Sequence, residues 1–290
     1  MRHVGRRTLT TYQRSRGLLW GNQIGWKKTN AGFSMLIDPS DPDDRAFCLG
    51  LYERPLVRLI EAVVRPGDLC IDVGAHKGFI SLQLAKAVGR EGRVISIEPD
   101  PRAMQILTSN CRRNRAVNVE LYSCLLGNAA RVCEFSLSTR LGWSSMFPNE
   151  LAQTAVSRTI SIQTRTLDDL IGEAGVADSC RLSLVKMDVE GAEPLVLAGA
   201  LRTLATFRPV VHFEVNEASL RAAGKSPGEV ADFFFALGYK LYEIKSAPRI
   251  SGIAYHYELA ELPPPGSSQT KDIVALVPGQ HATTLGGRRQ

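Results

Sequence analysis

The sequence contains no run of about 18 apolar residues, the minimum that a membrane-spanning helix needs. Its six cysteines include no C-x-x-C pair, so it shows neither metal-site spacing nor the cysteine density of a secreted disulfide scaffold. We therefore expect no membrane partner and a reducing compartment, the cytoplasm. These absences leave the oligomeric state open.

Acidic residues are missing from the first 37 positions, which hold seven lysines and arginines. The rest of the chain has 28 basic and 29 acidic residues, so the formal net charge of +6 belongs to this N-terminal segment. Because nucleic-acid binding usually needs a basic face on the folded domain, we expect no nucleic-acid partner. We expect residues 1–37 to form a disordered or loosely docked basic arm, with a targeting peptide as the alternative.

From residue 66 onward, short apolar segments alternate with segments of helical periodicity. Nearly all-apolar strands joined by helices are typical of a parallel sheet that is buried on both faces. The pattern predicts an α/β fold of the Rossmann-like, doubly wound kind, with a mostly parallel seven-stranded sheet and helices on both faces. The seven predicted strands are 69–74, 93–100, 118–127, 182–191, 208–216, 239–244 and 271–278.

The same pattern predicts the domain organisation. One catalytic domain is expected over residues 66–278, preceded by a helical cap segment at 38–65 and followed by a tail at 279–290. Two insertions interrupt the alternation, at about 128–181 and about 245–270. The first contains two β-like runs and the second a proline-rich PPPGSS stretch.

The stretch CIDVGAHKG ends the first strand in a glycine-containing turn, where open parallel sheets bind ligands. Asp72 stands where a dinucleotide fingerprint would have glycine, and no G-K-[ST] of a P-loop follows. An aspartate there would repel a pyrophosphate but suits a cationic ligand, and Glu98 after the second strand can bind ribose hydroxyls. Asp72, Gly74, Gly78 and Glu98 therefore predict an S-adenosylmethionine site, although the turn alone does not exclude another ligand.

Several ordered blocks resemble the FkbM-type family of S-adenosylmethionine-dependent methyltransferases over about residues 36–245. They are YERPLVRLIEAVVRPGD, IDVGAHKG, VISIEPDP, NVELYSCLLG, TRTLDDL, LVKMDVEGAE and RPVVHFEVN. The resemblance implies the class I methyltransferase fold, S-adenosylmethionine as cofactor, and methyl transfer to a hydroxyl of a small metabolite such as a sugar or polyketide. His76 stands where the family usually has asparagine. We expect His76 to belong to the cofactor turn and hypothesise that it makes binding pH-dependent.

Three polar residues near the ends of the fourth and fifth strands are the candidate catalytic groups. Asp188 is expected to accept the substrate hydroxyl or to position the methionine end of the cofactor. His212 and Glu214 share one face of a strand that should otherwise be apolar, so each needs a partner or a role. For His212, a general base and a satisfied buried network are both open. Asp188, Glu190 and Glu214 could also ligate Mg²⁺ or Ca²⁺, but their spacing does not demand it, and we predict no metal.

The motif GWSS in the first predicted insertion is expected to lie over the site. There Trp143 could stack on a sugar ring, and Ser144 and Ser145 could contact ligands; an exposed hairpin tip is the alternative. N- or C-methylation on the same scaffold, and a non-catalytic cofactor-binding module, remain as alternative functions. A nucleic-acid methyltransferase is disfavoured because DVEG follows the fourth strand where an N-P-P-[YF] type of loop would be expected.

Overall fold

The computed structural model describes residues 23–248, 255–261 and 271–281. The first 22 residues of the predicted arm, parts of the second predicted insertion including PPPGSS, and most of the predicted tail lie outside the described residues. The described strands are β1 (Gly25–Lys28), β2 (Ser34–Ile37), β3 (Leu69–Val73), β4 (Arg93–Ile97), β5 (Val119–Tyr122), β6 (Leu125–Leu126), β7 (Val132–Ser138), β8 (Val156–Arg165), β9 (Leu182–Met187), β10 (Val210–Val215), β11 (Lys240–Pro248), β12 (Tyr255–Glu261) and β13 (Lys271–Leu276).

Helices alternate with these strands, as the sequence pattern predicts. The described helices are α1 (Pro42–Leu49), α2 (Arg54–Val63), α3 (Phe79–Val88), α4 (Pro101–Arg113), α5 (Glu150–Gln153), α6 (Leu167–Glu173), α7 (Glu193–Ala198), α8 (Leu201–Phe207), α9 (Glu217–Ala222) and α10 (Pro227–Ala236). Several begin at side-chain caps: Asp100 caps α4, Thr166 caps α6, and Ser226 forms a capping box with Glu229 on α10. None of the described helices is long and apolar enough to cross a bilayer.

The main sheet has eight strands among the described residues, in the order β12-β11-β13-β10-β9-β3-β4-β5. Strands β10, β9, β3, β4 and β5 are parallel, and β13 runs antiparallel between β10 and β11. The predicted fold class is confirmed: a doubly wound, mostly parallel sheet with helices on both faces, in the class I methyltransferase arrangement. Seven of the eight strands correspond to predicted ones. The eighth, β12, lies within the second predicted insertion and extends the sheet at the β11 edge.

Two apolar clusters cover the two faces of the sheet. Because side chains alternate along a strand, neighbouring residues of β3 belong to different clusters: Ile71 packs on one face and Cys70 on the other. All five residues of β3 are buried. This double burial explains why the strands read as continuous apolar runs, and it makes a charged residue within a strand informative.

Part of the predicted basic arm is docked. Strands β1 and β2 form an antiparallel hairpin, and Met35 and Ile37 are buried. The backbone N–H groups of Ser34 and Leu36 donate hydrogen bonds to Asn114 and Asn110 of α4, each at 2.9 Å. The expectation of a loose arm is therefore wrong for residues 23–37, because apolar residues of β2 enter the core.

The first predicted insertion contributes two strands to a small three-stranded sheet, in the order β6-β8-β7. Strands β7 and β8 correspond to its two β-like runs. The predicted third strand is split: β5 stays in the main sheet, whereas β6 pairs with β8. The loop between β7 and β8 thereby extends from the small sheet toward the carboxyl edge of the main sheet.

Candidate active site

A cavity of about 250 Å³ lies at the carboxyl ends of β3, β4, β9 and β10. Among the residues of its wall are Gly74, His76, Glu98, Asp188 and Glu214, all singled out from the sequence. Residues 141–144 of the insertion, together with Tyr52 and Glu53 before α2, complete the wall. Parallel sheets bind ligands at this edge, so the cavity is the candidate active site.

The glycine turn is shaped by contacts within the protein. Gly74 has a φ of +75°, and a side chain there would overlap the backbone carbonyl oxygen of Asp188. Gly78 has a φ of +87° at the start of α3, and a side chain there would overlap Leu107 of α4. Positive φ and close approach both require glycine, so these residues bring β9 and α4 against the turn.

Asp72 is completely buried and does not line the cavity. Its Oδ2 accepts a hydrogen bond from Ser81 at 2.6 Å, and Ser96 donates in turn to the Ser81 hydroxyl at 2.9 Å. Its Oδ1 lies 3.5 Å from the ammonium of Lys186. This placement makes Asp72 an internal support of the turn. A direct contact between Asp72 and a cofactor stays a prediction.

Glu98 connects the end of β4 to the turn. One carboxylate oxygen accepts from the backbone N–H of His76 at 2.7 Å, and the other from that of Asp100 at 2.8 Å. Burial raises the pKa of Glu98 to about 7, while these two donors favour the charged form. Glu98 also lines the cavity, so it can accept further hydrogen bonds from a ligand.

His76 adopts the left-handed conformation, with a φ of 50°. The residue is partly exposed in the cavity wall, and its buried Nε2 has no hydrogen-bond partner. Burial and the neighbouring Lys77 lower its pKa to about 4. The imidazole is therefore neutral near physiological pH, which argues against the hypothesised pH dependence.

Lys77, the next residue, anchors helix α1 to the turn. Its ammonium lies 2.6 Å from Asp41, the N-cap residue of α1, and 2.7 Å from Asp44 in its first turn. Lys77 and Asp44 are almost fully buried. Burial disfavours the charged ammonium, but Asp44 and Asp41 outweigh this effect and raise the pKa of Lys77. The cap segment and the candidate cofactor turn are therefore joined by a buried ion-pair cluster.

Lys186 brings a buried positive charge to the centre of the site. Its Nζ donates to the carbonyl oxygen of Gly74 at 2.7 Å and lies 3.6 Å from Asp188 Oδ2. Burial disfavours the ammonium, but Asp72 and Asp188 outweigh this and raise its pKa. Lys186 therefore joins β9 to the turn and partly balances the acids around it.

The acids of the site outnumber this cation. Asp188 is two-fifths exposed and faces the cavity together with Glu190 and Glu214. Burial, Asp188 and Glu190 raise the pKa of Glu214 to about 8, and burial with Asp188 raises that of Glu190 to about 7. A surplus of carboxylates in a concave site favours a cationic ligand.

His212 lies next to this cavity but is not part of its wall. Its side chain is buried, and neither ring nitrogen has a hydrogen-bond partner. Burial and Lys186 lower its pKa to about 3, which makes the imidazole a weak base. The satisfied network considered from the sequence is absent around His212 in the described part of the chain, and its catalytic role stays a prediction.

The GWSS loop does lie over the site. Ser144 donates a hydrogen bond to Asp100 at 2.8 Å, and Asp100 also pairs with Arg102 at 2.6 Å. Ser145 donates to the backbone carbonyl oxygen of Glu190 at 3.0 Å. Trp143 lines the cavity and stacks with the guanidinium of Arg140, 3.9 Å from the ring centre. Both serines hold the loop in place, and Trp143 is available to a ligand.

Sequence reasoning missed four charged residues of this region: Glu53, Lys77, Lys186 and Asp272. A signal existed only for Lys186, a lone charge within the apolar run LSLVKM of a doubly buried strand. All six cysteines are free thiols, and one of them, Cys124, lines the cavity.

The sheet order and the site define the class of protein. A cavity at the carboxyl edge, a glycine turn after the first core strand, an acid after the second and an antiparallel last strand are the features of a class I methyltransferase. The Methyltransferase FkbM domain family matches residues 72–241, more than half of the chain, so this chain belongs to the FkbM methyltransferase family. The predicted family is confirmed, and it is a family of methyltransferases.

Several known proteins are similar to parts of the chain. The 2-O-methyltransferase NoeI of Sinorhizobium fredii is 27% identical over 169 residues, which cover 53% of this chain and 65% of NoeI. Ribosomal protein L11 methyltransferase of Pelotomaculum thermopropionicum is 30% identical over 115 residues, 33% of this chain and 36% of that protein. The chain thus spans less than two thirds of these relatives. The crystal structure of methyltransferase FkbM from Methylobacillus flagellatus has a TM-score of 0.45 at 17% identity, covering 76% of this chain and 50% of that one.

Proposed function

We propose that this protein transfers the methyl group of S-adenosylmethionine to a hydroxyl oxygen of a small metabolite. The observation that carries the proposal is that Gly74, Glu98, Asp188 and Glu214 line one cavity. The first two belong to the elements expected to hold the cofactor, and the last two supply carboxylates beside it. The printed name of NoeI, a 2-O-methyltransferase, supports oxygen as the accepting atom.

The residues of the cavity fit the proposed cofactor. Glu98 presents a buried carboxylate to the cavity, which suits the ribose hydroxyls. Carboxylates of the same wall, including Asp188, suit the amino group and the sulfonium. When bound, S-adenosylmethionine supplies an electrophilic methyl group, and the protein aligns the accepting oxygen with it.

Glu214 is the residue that we propose as general base. It lines the cavity, and a carboxylate whose pKa is about 8 is a stronger base than an ordinary glutamate. Its ionised form increases as the pH rises toward about 8. We therefore expect kcat/KM of the wild type to rise with pH up to that range, and Glu214→Gln to lose both most of the activity and this rise. A rise that persists in Glu214→Gln would assign the base to another group.

The cofactor site can be tested separately by calorimetry with S-adenosylhomocysteine and with NAD. We expect the wild type to bind S-adenosylhomocysteine more tightly than NAD, and Glu98→Ala to weaken that binding by about tenfold or more. Glu61→Gln is the matched control, because Glu61 is exposed on α2 and pairs only with Arg58 among the described contacts. Tighter binding of NAD, or unchanged affinity in Glu98→Ala, would contradict the assignment.

The accepting atom is tested with S-adenosylmethionine that carries an isotope-labelled methyl group. The enzyme is incubated with a panel of hydroxylated sugars and polyketides, and the products are analysed by NMR, because O-, N- and C-methyl groups resonate at different chemical shifts. We expect a methyl ether. An N- or C-methyl product would establish the alternative reaction on the same scaffold, and cofactor binding without any transfer would favour a non-catalytic module.

A further inference from the structure

Three potential metal ligands from distant parts of the chain meet beside the cavity. Glu53 precedes α2, His212 lies on β10, and Asp272 lies on β13. One side-chain atom of each lies within 4.8 Å of the others. Glu53 also lines the cavity, so the cluster borders the candidate active site without being the acid pair, Asp188 and Glu214, considered there.

The strand arrangement explains the meeting of His212 and Asp272. Because β13 inserts antiparallel beside β10, Glu214 is paired with Asp272 and His212 with Val274. Side chains two residues apart on a strand share one face, so Asp272 and His212 are diagonal neighbours. The distance from His212 Nε2 to Asp272 Oδ1 is 3.8 Å, which is too long for a hydrogen bond.

The surroundings of His212 are independent evidence that a ligand binds there. The exposed fraction of His212 is 4%, and both ring nitrogens are buried without a hydrogen bond. A buried imidazole normally donates through one nitrogen and accepts or ligates through the other, so two orphaned nitrogens call for a ligand. A neutral imidazole in this place has one ring nitrogen with a lone pair free for coordination.

The two carboxylates of the cluster lie close to further acids of the site. Both carboxylates are partly buried, and Asp188 lies close enough to repel each of them. The ammonium of Lys186 partly offsets the charge of Glu53, but it also approaches Asp72 and Asp188. A divalent ion would offset the repulsion among these acids.

We propose that Glu53, His212 and Asp272 bind one divalent transition-metal ion, of the Mn²⁺ or Zn²⁺ type. One imidazole nitrogen and two carboxylate oxygens suit these ions better than Mg²⁺, which prefers oxygen ligands alone. Ligands about 2.0–2.2 Å from a common ion lie up to about 4.4 Å apart, so the cluster needs only a small contraction. This site differs from the oxygen-only set considered from the sequence, and it is an alternative to the prediction of no metal.

The position of the site suggests its use, and this part rests on the proposed function. Since Glu53 belongs to the cavity wall, an ion held by the cluster would border the substrate region. An ion bound to a substrate hydroxyl lowers the pKa of that hydroxyl and orients its oxygen. The substrate class favoured is then a small molecule with a hydroxyl and a neighbouring oxygen, which can chelate the ion.

The test is metal binding by the whole protein after treatment with a chelator and dialysis. Mn²⁺ alone is titrated while the signal of the free ion is followed by electron paramagnetic resonance. We expect one bound ion per chain, displaced by Zn²⁺, and a nitrogen hyperfine coupling on the bound Mn²⁺. His212→Asn should abolish that coupling, and Asp272→Asn and Glu53→Gln should each weaken binding by about tenfold or more.

Two controls separate coordination from diffuse charge attraction. Glu61→Gln removes an exposed acid and should leave the affinity unchanged, whereas Glu214→Gln removes a neighbouring acid and should change it by about threefold at most. Thermal unfolding and binding of S-adenosylhomocysteine check that each variant is folded. If His212→Asn does not fold, the less buried Asp272→Asn carries the test.

Three results would overturn the site: no stoichiometric binding of either ion at millimolar concentration, bound Mn²⁺ without nitrogen coupling, or equal losses in Glu214→Gln and Asp272→Asn. Normal binding of S-adenosylhomocysteine in the same samples would leave the proposed methyl transfer intact. The two proposals can therefore fail separately.

Discussion

Replacing Lys77 by methionine tests how the cap segment is joined to the candidate cofactor turn. The substitution keeps the length and apolar stem of the side chain but removes the charge that pairs with Asp41 and Asp44. Asp44 has an exposed fraction of 1%, so it would remain buried without its cation. Removing one partner of a buried ion pair typically costs about 3–5 kcal/mol.

The expected loss of unfolding free energy has an upper limit, because Asp44 can take up a proton instead of remaining charged without Lys77. Neutralising an aspartate of ordinary pKa 3.8 at pH 7 costs about 4 kcal/mol, which limits the penalty that this carboxyl can impose. Part of that cost is already present in the wild type, where burial raises the pKa of Asp44 to about 6 despite Lys77. With the lost attraction to Asp41, we expect Lys77→Met to reduce the free energy of unfolding by about 3 kcal/mol at pH 7.

The pH dependence of this stability loss tests the buried-charge explanation more directly. A carboxyl whose pKa is raised by folding destabilises the folded state as the pH rises above 3.8, and in the wild type this loss levels off above about 6. Without Lys77 the pKa of Asp44 rises further, so the loss continues to pH 7. The effect of Lys77→Met should thus be larger at pH 7 than at pH 5 by on the order of 1.4 kcal/mol, the equivalent of one pH unit.

The assay is urea unfolding followed by circular dichroism at both pH values, with calorimetry to measure binding of S-adenosylhomocysteine. Arg58→Met is the matched control, because Arg58 and Glu61 are both about half exposed and such pairs contribute about 0–1 kcal/mol. Adding Asp44→Asn to Lys77→Met should remove the pH dependence. A loss below about 1 kcal/mol, or equal losses at both pH values, would refute the buried-charge explanation.

Two other substitutions test the glycine turn. Gly74→Ala should destabilise the protein by about 2–4 kcal/mol in urea unfolding, because alanine is strained at positive φ and would displace the Asp188 backbone. Gly67→Ala is the control: Gly67 also has a positive φ but has open space around it, so this substitution should reduce the free energy of unfolding by only about 1 kcal/mol. Equal costs would show that the Asp188 contact does not constrain the turn. The affinity for S-adenosylhomocysteine should fall in parallel in His76→Asn and in the wild type as the pH is lowered from about 8 to about 5.5. The reason is that Glu98 gains a proton in both proteins, whereas His76 of the wild type, with a pKa of about 4, stays neutral. A loss confined to the wild type in calorimetry would show that His76 titrates near its ordinary pKa.

Local sequence pattern was sufficient for the framework of the sheet. Strands that are buried on both faces must be apolar throughout, so β3, β4, β9 and β10 are visible as short runs between helical segments. Strand β12 was missed because, among the described strands, it pairs with β11 alone at the sheet edge, where no such requirement applies. The hairpin of β1 and β2 was missed for a similar reason, since its burial depends on contacts with α4.

The candidate site was predictable only in part. Glu98, Asp188 and Glu214 follow or end core strands, and the carboxyl ends of parallel strands share one edge, so their presence at one cavity follows from the sequence pattern. The sequence pattern does not predict that Asp72 is buried behind Ser81 and Lys186. A residue's position in a strand does not show which face of the strand contacts a helix and which contacts a ligand.

By itself, the sequence determined the fold class, the family, and the edge of the sheet at which the site lies, because each depends on short-range periodicity and on residues within contiguous motifs. Only the tertiary structure decided which charges meet. Lys77 pairs with residues more than 30 positions away, and Glu53 reaches His212 and Asp272 through the packing of α2 and the insertion of β13 beside β10. Such long-range contacts depend on strand order and helix docking, which leave no periodic trace in the chain.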